Sequence, residues 1–161
     1  MPTTKKLYLK ILFSILLLSA FFSCDSKKTE QSVPHKNPHE ITFISVSDIE
    51  GNLGNYRIIK ATKDSVFAEK GVTARKTHKS WASAIHPQIW KKLVSSVHIT
   101  DLDHIKSSPS QQSVGGTDET FQIRTPKKSH IYVNAYADTL HYEQLQQLKK
   151  QLDKILPKEY Q

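Results

Sequence analysis

Four side chains with metal-binding chemistry fall within seven residues: His98, Asp101, Asp103 and His104. Imidazole nitrogen and carboxylate oxygen both suit zinc, which takes three protein ligands at catalytic sites and four at structural ones. His98, Asp101 and His104 form the candidate set, and their chemistry would be metal-dependent hydrolysis. The spacing fixes no geometry, and the same stretch reads as a polar connection in which an aspartate caps a turn. A second group is Gly51-Asn52-Leu53-Gly54. Glycine loops cradle phosphate when a helix N-terminus follows and aims its N–H groups at the anion. Here Tyr56, Ile58 and Ile59 follow in a β-type pattern, so the glycines read as a turn between strands. No serine stands in a Gly-x-Ser-x-Gly elbow. Asp101 and Asp103 flank Leu102 and read as turn residues rather than an acid–base pair. His35, His39, His78, His86, His130 and His141 are scattered and form no motif. No enzymatic activity, metal or cofactor site is expected.

The elements that must position these residues alternate between two periods. Ile41, Phe43, Ile44 and Val46 open a short strand, broken at Gly51 to Asn55. Tyr56, Ile58 and Ile59 give a second, and Val66 and Phe67 a third that ends near Gly71. Thr73 to Thr77 alternate with charged residues and suggest a fourth, exposed strand. A helix then starts at Pro87, whose missing N–H costs nothing in a first turn. Ile89, Trp90, Leu93, Val94 and Val97 recur at helical spacing as its core face. Ser107 to Asp118 is rich in Ser, Gln and Gly and reads as a long loop. Thr120 to Thr125 and Ile131 to Ala135 flank Pro126-Lys127-Lys128-Ser129 as a hairpin. The last element is a helix with Tyr142, Leu145, Leu148, Leu152, Ile155 and Leu156 on one face. Asp138 or Thr139 can cap its start, and Pro157 stops it. The expected fold is α+β: a small antiparallel sheet of about four to six strands with two helices packed on it.

The N-terminal stretch has a different grammar. Lys5 and Lys6 precede an apolar run from Ile11 to Phe22, followed by Ser23, Cys24 and a polar stretch from Asp25. Twelve residues make a helix of about 18 Å, short of the roughly 30 Å of hydrocarbon in a bilayer. An export signal fits better than a spanning helix. The segment Phe21-Phe22-Ser23-Cys24 resembles the signal of bacterial lipoproteins, in which a small residue precedes a lipidated cysteine. That resemblance implies cleavage before Cys24 and a covalent diacylglycerol and fatty acyl chain, such as palmitate, at Cys24. It implies a membrane-anchored protein of the bacterial cell envelope. Multiple acyl chains anchor stably where a single chain binds only marginally. Cys24 is the sole cysteine, so its lipidation would leave no thiol for disulfide, nucleophile or thiolate metal chemistry.

The expected organisation is a signal peptide over 1–23, a lipidated cysteine and tether over 24–38, and one domain over 39–161. The formal charge is +8. Removing Lys5, Lys6 and Lys10 with the leader leaves +5. Setting aside Lys27, Lys28 and Lys36 against Asp25 and Glu30 leaves +4 on the domain. Such a balance favours an acidic partner or an anionic membrane surface. No basic run with interleaved aromatics appears, so nucleic acid is not an expected partner.

The element order over Ile41 to Leu156 resembles emfourin-like inhibitors of thermolysin-type metalloproteases. The residues that carry it are Gly51-Asn52-Leu53-Gly54, the Trp90-Lys91-Lys92-Leu93 helix, Asp101-Leu102, and Asp118 to Ile123. The family usually has consecutive glycines and an Asp/Gly pair before the hairpin, where this chain has Gly51-Asn52 and Asp118-Glu119. The resemblance implies a compact α+β fold and a protease as a conceivable partner, and it assigns no inhibitory residues. The expected function is a lipid-anchored, non-catalytic binding domain, with protease inhibition as the alternative. Loops on a rigid scaffold often carry binding. The candidate partner-binding residues are therefore Gly51, Asn52 and Gly54 in the first turn, and Gly115, Gly116 and Asp118 in the long loop.

Overall fold

Alternate residues of each strand point to opposite faces, so strand register decides which side chains share a layer. The computed structural model describes residues 37–161; the leader, Cys24 and most of the tether lie outside the described residues. Six strands form one antiparallel sheet: β1 Phe43–Glu50, β2 Asn55–Ala61, β3 Ser65–Val72, β4 Thr77–Ala84, β5 Thr117–Arg124 and β6 Ser129–Val133. Their order across the sheet is β4-β3-β2-β1-β5-β6. Two helices, α1 Pro87–Val94 and α2 Tyr142–Ile155, lie against one face. The α+β expectation holds, with six strands and two helices. No helix among the described residues is long and apolar enough to cross a membrane.

The register sorts the helix-facing side of the sheet into four rows. The first runs His130, Ile123, Ile44, Ala61, Val66 and Ser83; the second runs Tyr132, Phe121, Val46, Ile59, Ala68 and Trp81. These two rows meet Trp90 and Leu93 of α1 and Leu145, Leu148 and Leu152 of α2 in one core. Phe121 is fully buried and meets the Tyr142 ring edge-on, centroids 6.4 Å apart. Burying each such side chain contributes on the order of 1.5–3 kcal/mol. The third row is charged: Glu119, Asp48, Arg57, Lys70 and Lys79. The fourth, Thr117, Glu50, Asn55, Val72 and Thr77, is mostly polar.

Several local expectations shift. The fourth strand is not Thr73 to Thr77. Thr73–Arg75 is a 3-10 turn, Lys76 takes φ 52°, and the strand follows at Thr77–Ala84. β4 is an edge strand with only Trp81 partly buried, so it lacks the apolar alternation that marks its neighbours. In α1, Trp90 and Leu93 are buried but Ile89 is 39% exposed, and Val97 lies past the helix although it joins the core. β6 runs Ser129–Val133, so Ala135 lies past the strand in a 3-10 turn; the core side of β6 is His130 and Tyr132, and Ile131 faces out. Tyr132 can face in because its hydroxyl donates to the Leu102 carbonyl. Asp138 rather than Thr139 governs the entry to α2, accepting from the backbone N–H groups of Leu140 and His141 at 3.2 Å.

Candidate functional site at the loop end of the sheet

Antiparallel pairing of β1 with both β2 and β5 carries the β1–β2 turn to the start of β5. The two loops singled out by sequence therefore meet. Gly51 N–H donates to the Gly116 carbonyl at 2.9 Å, and Gln112 Nε2 donates to the Ile49 carbonyl at 3.3 Å. A side chain at Gly51 would collide with the backbone of Gln112, which explains glycine there. Gly115 closes a 3-10 turn at φ 79°, a left-handed conformation, and sits against the Asn52 side chain. The β3–β4 turn joins them: Thr73 N–H donates to Gly54 O at 3.0 Å, and Ala74 N–H to Leu53 O at 3.1 Å.

Asp118 is buried beneath this cluster. It accepts from Ser110 Oγ at 2.6 Å, Gln111 N–H at 2.7 Å and Asn134 Nδ2 at 2.8 Å. Burial pushes its carboxyl up, but these donors outweigh it and hold it below its ordinary value. Asp118 and the glycines thus build the loops. The side chains left outward are different ones: Leu53 is 47% exposed and Val114 78% exposed. Both lie inside the two candidate loops, but a lone apolar residue in a loop carries no periodicity to single it out.

Beside the loops, the third and fourth rows floor an open groove of about 490 Å³ on the helix side of the sheet. On its inner edge five charges interlock. Arg57 donates to Asp48 through Nε at 3.2 Å and Nη2 at 3.0 Å, and to Asp153 of α2 through Nη1 at 2.8 Å. Lys149 of α2 bridges Asp48 at 2.7 Å and Glu119. Tyr142 hydroxyl donates to Glu119 at 2.7 Å. Burial, then Glu119, raises the Tyr142 pKa well above its ordinary value, so it keeps this proton. Burial lowers the pKa of Lys149 and of Arg57, but their carboxylate partners outweigh it and raise both.

The outer cations of the third row are held differently. Lys70 donates to the Glu159 carbonyl and lies 5.6 Å from the Tyr160 ring centroid. Lys79 lies 3.9 Å from the Glu159 carboxylate. Asp48, Arg57, Lys70 and Lys79 were not sequence candidates. The available signal was the change from apolar to charged residues at every second position, visible in Ile44, Val46, Asp48 and in Val66, Ala68, Lys70.

The His98–His104 stretch does not assemble. His98 N–H donates to Gln144 Oε1 at 2.8 Å. Asp101 receives the Thr100 hydroxyl at 3.1 Å, and Asp103 turns to Lys128 and His130. His104 stacks on His141, centroids 6.2 Å apart. Among the described residues, no three His, Cys, Asp or Glu side chains come together as metal ligands. His98 and Asp101 line one shallow depression, while Asp103 and His104 turn away to Lys128 and His141.

No protein-family model matches the chain, and no curated protein is significantly similar to it.

Proposed function

We propose that this chain is a lipid-anchored protein of the bacterial envelope whose α+β domain is a non-catalytic binding module. Its binding surface is the joined loop pair Gly51 to Asn55 and Ser107 to Asp118. The observation that carries the reading is the stitching of those loops by Gly51 N–H to Gly116 O and by Gln112 to Ile49, with Leu53 and Val114 left outward. Pre-organised loops lose little conformational freedom on binding. The partner class is a protein offering an apolar contact. The test is crosslinked capture from envelope fractions with the full chain and with Leu53→Asp/Val114→Asp. A partner held by the native chain and lost by the double variant is expected. No partner, or one held equally by both, overturns the proposal. For the anchor, Cys24→Ser is expected to release the protein from membranes or stall its processing. Unchanged fractionation and mass would refute lipidation.

A second reading is inhibition of a thermolysin-type metalloprotease. It is favoured by Leu53, a half-exposed apolar side chain on a turn pinned by Gly116 on one side and by Thr73 and Ala74 on the other. The detergent-solubilised full chain is assayed against such a protease. Absence of inhibition at high micromolar concentration eliminates this reading.

A further inference from the structure

Lys70 and Lys79 stand directly opposite each other on β3 and β4, and Arg57 stands opposite Lys70 on β2. Like charges in that relation destabilise a sheet. Arg57 is neutralised by Asp48 and Asp153. Lys70 has no carboxylate partner among the described residues; its ammonium rests on the Glu159 carbonyl and the Tyr160 ring. Among the described residues Lys79 has Glu159 alone, at 3.9 Å, with side chains 69% and 58% exposed, a pairing worth little in water. Two scarcely neutralised cations therefore line the β3–β4 side of the groove. Its β1 side carries Glu50, whose contact is the neutral Asn55 amide.

The groove thus has a fixed polarity, anionic at β1 and cationic at β3 and β4. Neighbouring strands lie about 4.8 Å apart, so two strand steps to β3 and three to β4 set the poles about 10–14 Å apart across the sheet. An extended peptide advances about 3.3–3.6 Å per residue, so about three to four residues cover that distance. The cationic wall already holds peptide: Lys70 takes the Glu159 carbonyl, and Arg57 Nη1 takes the Tyr160 carbonyl at 3.2 Å. The volume, about 490 Å³, suits a ligand of that size.

We infer that this groove is a site for a short zwitterionic peptide. The free carboxylate lies on Lys70 and Lys79, and the ammonium lies on Glu50. The inference uses none of the contacts made by Leu53 and Val114, so it can fail while the loop surface stands.

The experiment titrates the ¹⁵N-labelled full chain in detergent with trialanine and follows the amide resonances. Saturable shifts at Lys70, Gly71, Val72, Thr77 and Lys79 are expected at low millimolar peptide. Amidating the peptide C-terminus is expected to weaken binding at least tenfold, and acetylating its N-terminus several-fold. Lys79→Gln is expected to weaken binding at least five-fold with a dispersed spectrum retained. Glu50→Gln is expected to abolish the effect of acetylation. Lys70→Gln serves as a second reading of the cationic pole if Lys79→Gln unfolds. No saturable shift, equal affinity for the capped peptides, or shifts confined to residues near Leu53 and Val114 would each overturn the inference.

Discussion

The two ends of the sheet meet the helices with opposite chemistry. At one end, Ile44, Val46, Phe121 and Ile123 face Leu145, Leu148 and Leu152 in a dry core. At the other, Asp48, Arg57 and Glu119 face Lys149 and Asp153 of the same helix. α2 therefore packs by dispersion through one stripe and by charge through the adjoining one, Lys149 and Asp153 following Leu148 and Leu152 in the chain. The first end can be held by any well-fitting apolar set. The second is held only when each cation meets its carboxylates, because an unpaired charge left partly buried is costly. The apolar end stabilises; the charged end sets how α2 lies on the sheet and leaves a polar groove beside it. Lys128 with Asp103, at the rim of the apolar end, offers an internal control. It pairs the same residue types with side chains 57% and 60% exposed, against 22% and 25% for Lys149 and Asp48.

The sharpest way to break the contrast is to cut the apolar end. Phe121→Ala removes a fully buried ring from the second row. We expect a loss of about 3–5 kcal/mol, read as a fall in the urea midpoint at constant slope. A loss under about 1 kcal/mol would mean that the core collapses around the gap and that the ring is not central.

The next largest effect comes from the charged end. Lys149→Met removes the cation shared by Asp48 and Glu119, which stand directly opposite on β1 and β5. Two carboxylates are then left facing each other. A fully buried pair broken this way costs about 3–5 kcal/mol; with these side chains 13–25% exposed, about 2 kcal/mol is expected. The same urea titration checks it. If Lys149→Met is neutral, the charged end is a solvated rim and does not orient α2.

How much of this was legible follows from what each region depends on. β1, β3, β5 and α2 are half-buried elements, and their apolar periodicity marks them in the sequence. β4 is an edge strand whose side chains Thr77, His78, Lys79 and Ser80 are exposed on both faces. It has no apolar period to read, and the alternation at Thr73 to Thr77 belongs to a turn. The glycine turn and the long loop were legible as loops, and their composition marked them as candidates for binding. Their meeting was not, because it depends on β1 and β5 pairing in space. Asp118 looked like a loop carboxylate free to bind; its burial follows only once Ser110 and Asn134 close on it. The charged row was hidden for a related reason. Asp48, Arg57, Lys70, Lys79 and Glu119 come from five strands, and a one-residue slip in any register would send its member to the other face.

Acidity tests a third kind of charge, one held by backbone. The carboxylate of Asp138 accepts from Lys106 N–H at 2.9 Å and from His141, which together hold its pKa near about 2. Its ordinary value is 3.8. The folded value lies below the unfolded one, so this carboxylate stabilises fully above about pH 4 and the contribution is lost as pH falls toward 2. Asp138→Asn is expected to flatten that part of the acid limb in a plot of thermal midpoint against pH. An unchanged limb would assign the acid sensitivity to other carboxylates.

The smallest effect is expected at Lys128, and it decides what the contrast between the ends means. Lys128 contacts Asp103, and Asp103 also lies 3.4 Å from Nδ1 of His130. Burial lowers the His130 pKa more than Asp103 raises it, so the imidazole favours its neutral form and adds little charge to the pair. Lys128→Ala then removes only a solvated partner of a solvated carboxylate. No measurable change in the urea midpoint is expected, at low salt or high. A loss equal to that of Lys149→Met would show that pairing, independent of burial, fixes the worth of these lysines. The distinction between the two ends of the sheet would then rest on charge count alone. A silent Lys128→Ala beside a costly Lys149→Met places the difference in desolvation, because the two lysines share a carboxylate partner type and differ in how far water reaches them.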